Sequence, residues 1–290
     1  MTLHRLAGGL RCPFCVSAGF ESVPFSPAGP LVLGCQNGHR VDVNKRGYVS
    51  LLPPRTRVVG DSAEMLAARA RFFDTGAYRP IADAVARAGA EAVPAAGARI
   101  AEIGCGTGYY LAATQAAMHS EEVLAADLSP AAVRTAVSSV PGAAGVVLDV
   151  WQPLPLADAS RDLLLSVFAP RNLPEFARVL AADGCLVAVV PTGHHLREAR
   201  DAGLALDVPE GKADDLARAA EPWFDEVART EIEFTMILDD ATLNLLLGMG
   251  PSAHHALTAE GSSNPAAPES VTASVTVLTL RRSPNSADPS

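Results

Sequence analysis

The sequence predicts an α/β fold: a mostly parallel sheet covered by helices on both faces, closed by an antiparallel edge and preceded by a small cysteine-bearing head. Three observations carry this expectation. From about residue 99, short apolar runs alternate with helical stretches, and strands that are apolar throughout belong to sheets buried on both faces. A glycine-rich turn, A-E-I-G-C-G-T-G, joins the first of those strands to a helix. Residues 1–60 differ in character, being rich in Gly and Pro and holding three of the five cysteines. With 290 residues, 49% of them apolar, the chain can fill one large core and a small accessory unit.

In chain order, residues 61–76 open with a D-x-x-E capping pattern. They set Met65, Leu66, Arg69, Phe72 and Phe73 at helical spacing and stop at Gly76. An alanine-rich helix follows over residues 80–93. Candidate strands occupy residues 99–104, 123–127, 146–149, 162–168 and 186–191, with helices near 108–119, 130–140, 173–181 and 195–206. The end differs. Residues 227–238 and 271–280 alternate apolar with polar, flank a helix at 239–248, and predict the antiparallel edge. Residues 260–270 have loop composition, and 283–290 read as a flexible tail. The expected division is therefore 1–60, 61–282 and the tail.

The net charge of −9 hides an asymmetry. Within residues 1–60, Arg5, Arg11, Arg40, Lys45, Arg46, Arg55 and Arg57 meet only Glu21 and Asp42, and seven minus two leaves +5. A basic head on an acidic body is compatible with a localised polyanion contact, and equally with a solvated basic face. The first eleven residues hold no apolar run of signal-peptide length, and no stretch of about 18 apolar residues predicts a membrane span. An odd cysteine count points to reduced thiols and a cytoplasmic setting.

Gly104, Gly106 and Gly108 end the first strand and open a helix, where ligands bind doubly wound sheets. Tyr109 occupies the third glycine position of the dinucleotide fingerprint, which disfavours NAD. Three acids complete the pattern. Glu102 precedes the glycines. Asp127 ends the second strand, where a carboxylate can accept both ribose hydroxyls. Asp149 follows the third, where it can accept from an adenine amino group. Each acid alone is as well explained as a surface residue or cap. An acid ahead of the glycines is awkward for a pyrophosphate but suits a ligand with a cationic end. S-adenosylmethionine, which has an ammonium, a sulfonium and no phosphate, meets that requirement.

The head carries C-P-F-C at Cys12–Cys15 and C-Q-N-G-H at Cys35–His39. Two turns, each offering two soft or borderline ligands, suit a tetrahedral Zn²⁺ held by Cys12, Cys15, Cys35 and His39. A redox reading of Cys12 and Cys15 needs a thioredoxin-like βαβ setting, which is missing, and leaves Cys35 and His39 unexplained. Four protein ligands make the site closed and structural. Cys105 and Cys185 lie in or beside strands and read as buried thiols.

E-I-G-C-G-T-G, A-A-D-L-S and S-V-F-A-P-R-N resemble motifs of the class I S-adenosylmethionine-dependent methyltransferases, which implies the Rossmann-like form of the fold. Joined to the Cys₃His ribbon, R-G-Y-V-S-L-L, G-D-S-A-E-M and D-T-G-A-Y-R-P, they make residues 12–280 similar to the 23S rRNA (guanine-N1)-methyltransferases. F-A-P-R-N and M-G-P-S resemble the branch that includes tylosin-type macrolide-resistance enzymes. The resemblance implies zinc on Cys12, Cys15, Cys35 and His39, and cofactor contacts at Tyr78, Gly106, Thr107 and His195. It also implies a ribbon that helps recognise an RNA hairpin in domain II of 23S rRNA, near the peptide exit tunnel. Members often have Asp where this chain has Glu102. Some relatives act as homodimers, though no interface pattern marks one here.

The reaction implied is methyl transfer to guanine N1. A sulfonium donor needs little activation, so positioning in a dry pocket should carry most of the catalysis. The N1 proton must leave, and a carboxylate or relayed water can accept it. Asn172 and Glu175 are the candidate base contacts, although Glu175 is equally a first-turn helix acid. Arg40, Lys45, Arg46, Arg55 and Arg57 are the expected phosphate contacts. Two readings compete. One is a small-metabolite methyltransferase with the ribbon as a lid, favoured by the acidic body. The other is a non-catalytic zinc and RNA-binding module, against which the intact glycines and acids argue.

Overall fold

The structure, a computed structural model, describes residues 2–21, 23–53, 60–250 and 268–284. The head supplies α1 (Thr2–Gly9), α2 (Pro13–Ser17), β1 (Ser26–Gly29), β2 (Val32–Gly34), β3 (Arg40–Asn44) and β4 (Tyr48–Ser50). Next come α3 (Ala63–Asp74), α4 (Arg79–Ala92), β5 (Ile100–Ile103), α5 (Tyr109–Met118), β6 (Val123–Asp127), α6 (Pro130–Ser139) and β7 (Ala144–Val147). The remainder is β8 (Arg161–Val167), α7 (Leu173–Val179), β9 (Leu180–Pro191), α8 (Arg197–Asp201) and α9 (Lys212–Ala220), then β10 (Phe224–Ile237), α10 (Asp240–Gly248) and β11 (Ser270–Arg282).

Among the described residues these strands form one sheet in the order β1-β2-β3-β4-β7-β6-β5-β8-β9-β11-β10. From β4 to β9 the neighbours run parallel. Every residue of β5 and β7 is buried, as a sheet covered on both faces requires. Alternate side chains feed two cores: Ile100 enters one, and Ala101 and Ile103 the other. The antiparallel edge is present, with β11 between β9 and β10. Sequence explains that order. Strand β11 buries Val271, Ala273, Val275 and Val277, whereas β10 carries Glu226, Arg229, Glu231 and Glu233, charges that blunt an outer edge. Because β6 and β8 flank β5, the winding reverses there and leaves a crevice at the strands' carboxyl ends.

Three expectations change. The cap of α3 is Ser62, whose side chain accepts from Met65 N at 3.2 Å, and Asp61 instead pairs with Arg69. The helix expected over 195–206 shrinks to α8, because Leu196 (φ 56°) and Gly203 (φ 72°) adopt left-handed backbone at its ends. The head, expected as a separate unit, extends the main sheet. Strand β4 pairs in parallel with β7, and Leu6, Leu10, Phe25, Leu33 and Val49 share a core with Leu124, Val146 and Leu164. Too few apolar residues for a core of their own complete one face of the larger one. Helices α1 and α9 were not expected from the sequence.

Candidate functional site

A cavity of about 1090 Å³ opens at the crevice, and Tyr78, Glu102, Gly104, Gly106, Thr107, Asp127, Asp149 and His195 all line it. Gly108 does not. It caps α5 at φ 81° and lies against Ala136 and Val140, so its contribution is packing against α6. The glycine turn is a cradle that a side chain would fill: a Cβ on Gly104 would stand 2.4 Å from that of Ala169.

The acids are held by backbone. Glu102 is 1% exposed and accepts from Leu111 N at 3.1 Å; burial, with Asp127 adding to it, pushes its carboxyl well above the usual range. Asp127 accepts from Gly106 N and Ser129 N, each at 2.9 Å, and burial raises it too. Asp149 accepts from Trp151 N at 3.0 Å. Two buried carboxylates with few internal cations form a site primed for a cationic ligand.

His195 and Tyr78 form a buried pair, Nε2 to hydroxyl at 3.3 Å. Ser274 N donates to Nδ1 at 3.2 Å, which places the ring proton on Nε2 and makes the Tyr78 oxygen its acceptor. The Tyr78 hydroxyl hydrogen is then free for a ligand. Burial lowers the His195 pKa to about 4, keeping the ring neutral at pH 7.

In the head, Cys12, Cys15, Cys35 and His39 bring their ligand atoms within 4.8 Å of one another. Cys15 Sγ is 3.7 Å from Cys35 Sγ and 3.3 Å from His39 Nδ1. A tetrahedral zinc with ordinary Zn–S bonds places its sulfurs about 3.8 Å apart, so the donor set fits. Gly38, at φ 86°, makes the turn that folds His39 back on Cys35.

Other sequence candidates fare differently. Glu175 lies outside the cavity lining, in an ion cluster with Arg178 (2.7 Å) and Arg11 (3.3 Å), and accepts from Leu154 N. Its two oxygens accept from Arg178, Arg11 and the Leu154 backbone. Asn172 also lies off the cavity, its amide donating to Val150 O at 2.9 Å and so pinning the loop beside it. Arg40, Lys45 and Arg46 are exposed but not grouped. Arg40 opens β3 at the end where β7 leads into Asp149. Lys45 and Arg46 turn at the opposite end, where Gly145 N donates to Gly47 O, roughly 16 Å away along the strand. Arg55 and Arg57 lie outside the described residues.

Comparison with known proteins gives the site a context. A methyltransferase-domain family model matches residues 100–193. A Streptomyces fradiae protein named 23S rRNA (guanine(748)-N(1))-methyltransferase is 38% identical, covering 85% of this chain and 86% of its own length. A Micromonospora griseorubida protein, provisionally named a 23S rRNA (guanine-N1)-methyltransferase, is 40% identical over 94% of this chain and 97% of its own. The chain belongs to the 23S rRNA (guanine-N1)-methyltransferase family. A Haloferax volcanii chain solved with the Trm112 methyltransferase activator matches in fold, with a TM-score of 0.50 and 17% identity over 78% of this chain and 99% of that one.

For a member of this family the cavity holds residues that sequence reasoning missed. Arg69 of α3 lies over the glycine turn, donating to Asp61 at 2.5 Å and to Met249 O at 2.7 Å. The Tyr110 hydroxyl is buried against the cavity without a partner, an orphan that a ligand in the cradle would satisfy. Phe168 sits at φ 53°, an unusual conformation for a bulky residue, with 41% of its surface exposed. A helical arginine and a strained strand end leave no spacing signature. Only F-A-P-R-N hinted at the last.

Proposed function

We propose that this protein transfers a methyl group from S-adenosylmethionine to N1 of a guanine in 23S rRNA. The observation that carries the reading is one cavity lined by two chemically distinct sets of side chains. Glu102, Asp127 and Asp149 border the glycine cradle. Phe168 and Trp151, 41% and 63% exposed, add flat apolar faces to the same lining. Glu102 would take the ammonium, Asp127 the ribose hydroxyls and Asp149 the adenine amino group, with Gly104, Gly106 and Thr107 allowing close approach. The free Tyr78 hydroxyl hydrogen, held in place by His195, adds a donor. When bound, the cofactor supplies a methyl group already activated by its sulfonium.

What remains for the protein is placement. An extruded guanine stacked on Phe168 or Trp151 loses its water and is presented edge-on to the donor. Cys12, Cys15, Cys35 and His39 would hold a structural zinc that shapes the head for hairpin recognition, with Arg40 nearest the cavity end. Lys45 and Arg46, at the far end of the hairpin, would reach a more distant stretch of the RNA backbone. Primer extension on 23S rRNA from cells with and without the gene tests the reading, because a methyl on N1 blocks Watson–Crick pairing. The expected result is a new stop at one guanine. No stop, with normal cofactor binding by the purified protein, would favour a small-metabolite acceptor.

A further inference from the structure

The loop between β8 and α7 contains a cation that no role above uses. Arg171 lines the cavity, next to the exposed Phe168, and its Nη1 is buried without a hydrogen-bond partner. Among the described residues no carboxylate pairs with it, and burial alone lowers its pKa. A buried, unpaired guanidinium costs free energy unless a ligand completes it. Its neighbours do not move freely. Ala169 packs into the cradle at Gly104, Asn172 is tied to Val150 O, and α7 begins at Leu173. Arg171 is therefore carried on a fixed loop that borders the cavity together with Phe168.

The chemistry of that acceptor states what is missing. Guanine N1 carries a proton at neutral pH, and when it leaves the negative charge spreads from N1 onto O6. Of the two candidate base contacts, Glu175 is spent on Arg178 and Arg11, and Asn172, an amide tied to Val150 O, cannot take a proton. A fixed cation at O6 does the same work from the other side, making the proton easier to lose. Arginine is also the side chain whose fork matches guanine O6 and N7 together.

We propose that Arg171 is a catalytic residue that binds O6 of the acceptor guanine and stabilises the charge developing there as N1 gives up its proton. This rests on the guanine-N1 reading above. In the step, the N1–H bond breaks and the proton passes to water. The electron pair left on N1, shared with O6, forms the bond to the methyl carbon. The carbon–sulfur bond breaks with its pair remaining on sulfur, so the sulfonium's positive charge leaves as the released proton. The cation acts as an oxyanion-type donor, placed where charge appears only in the transition state.

The test compares full-length wild type with Arg171→Gln and Arg171→Lys on unmodified 23S rRNA transcript, following kcat from pH 6 to 10. Calorimetry checks cofactor affinity, and filter binding at several salt concentrations checks RNA affinity. Arg171→Gln should keep both affinities within about 3-fold, lose about 100-fold in kcat at pH 7, and shift the ionisation limb upward by roughly 1–3 pH units toward that of free guanosine. Arg171→Lys, charged but without the fork, should fall between. Three outcomes overturn the assignment while leaving the guanine reading intact: a profile parallel to wild type, a loss confined to cofactor affinity, or weaker RNA binding with a flatter salt slope and unchanged kcat. No transfer by the wild type would remove the guanine reading and this assignment together.

Discussion

Glu102 shows how much chemistry one side chain can hold in reserve. It is fully enclosed at the end of β5, with a single backbone N–H from Leu111 to offset its charge. Burial, with Asp127 close by, makes its ionised form costly in the ligand-free protein. Glu102→Gln should therefore raise the melting temperature, yet weaken S-adenosylmethionine binding about 10- to 100-fold by losing a charge-assisted contact. Thermal shift and calorimetry read the two effects, and unchanged cofactor affinity would remove the ammonium role. His195 carries the pH dependence. Its pKa falls from 6.5 to about 4 on folding, chiefly through burial. As pH drops from 6.5 toward 4 the unfolded chain takes up this proton while the folded one does not, so stability declines across that window and levels off below it. The loss between pH 7 and pH 5 should be about 2 kcal/mol, and urea melts of His195→Asn should lack that part of the decline.

At the scale of elements, the zinc turns and the acceptor loop are joined. Arg11 immediately precedes Cys12, donates to Leu154 O at 3.0 Å and pairs with Glu175 of α7. An ion in the four-ligand cluster thus fixes the residue that braces α7 and, through it, the loop carrying Phe168 and Arg171. Stripping zinc with a chelator should lower the melting temperature of the whole chain by about 5–10 °C instead of melting the head alone, and calorimetry should show a single transition. Two separate transitions would mean the head folds independently. Much of this scale was readable in advance. The parallel strands announce themselves because burial on both faces leaves no polar alternation, and C-x2-C with C-x3-H can satisfy few ions besides zinc. What hid was tertiary. Nothing in the sequence around Tyr48 says that β4 will pair with β7, and Glu175 looks like a helix-start acid until Arg11 arrives from 164 residues away. Arg69, Tyr110 and Arg171 matter through where they end up, and isolated residues carry no period to detect.

At the scale of the molecule, a continuous sheet runs from the metal-binding head to the charged outer strand, with the cavity at the one point where its winding reverses. The head's attachment through β4 and a shared core fixes its position relative to the crevice, which suits a substrate that must be gripped in one place and modified in another. The basic head and acidic body reinforce that division, and Arg40 and the turn at Lys45 span the hairpin between them. Every assignment above depends on which atom receives the methyl group. Nucleoside mass spectrometry of unmodified 23S rRNA, after incubation with the purified protein and isotope-labelled S-adenosylmethionine, reads that atom directly. Label should appear in 1-methylguanosine, close to one per rRNA at completion. Label in any other nucleoside, or none while the protein binds its cofactor, would rule out guanine N1 as the acceptor.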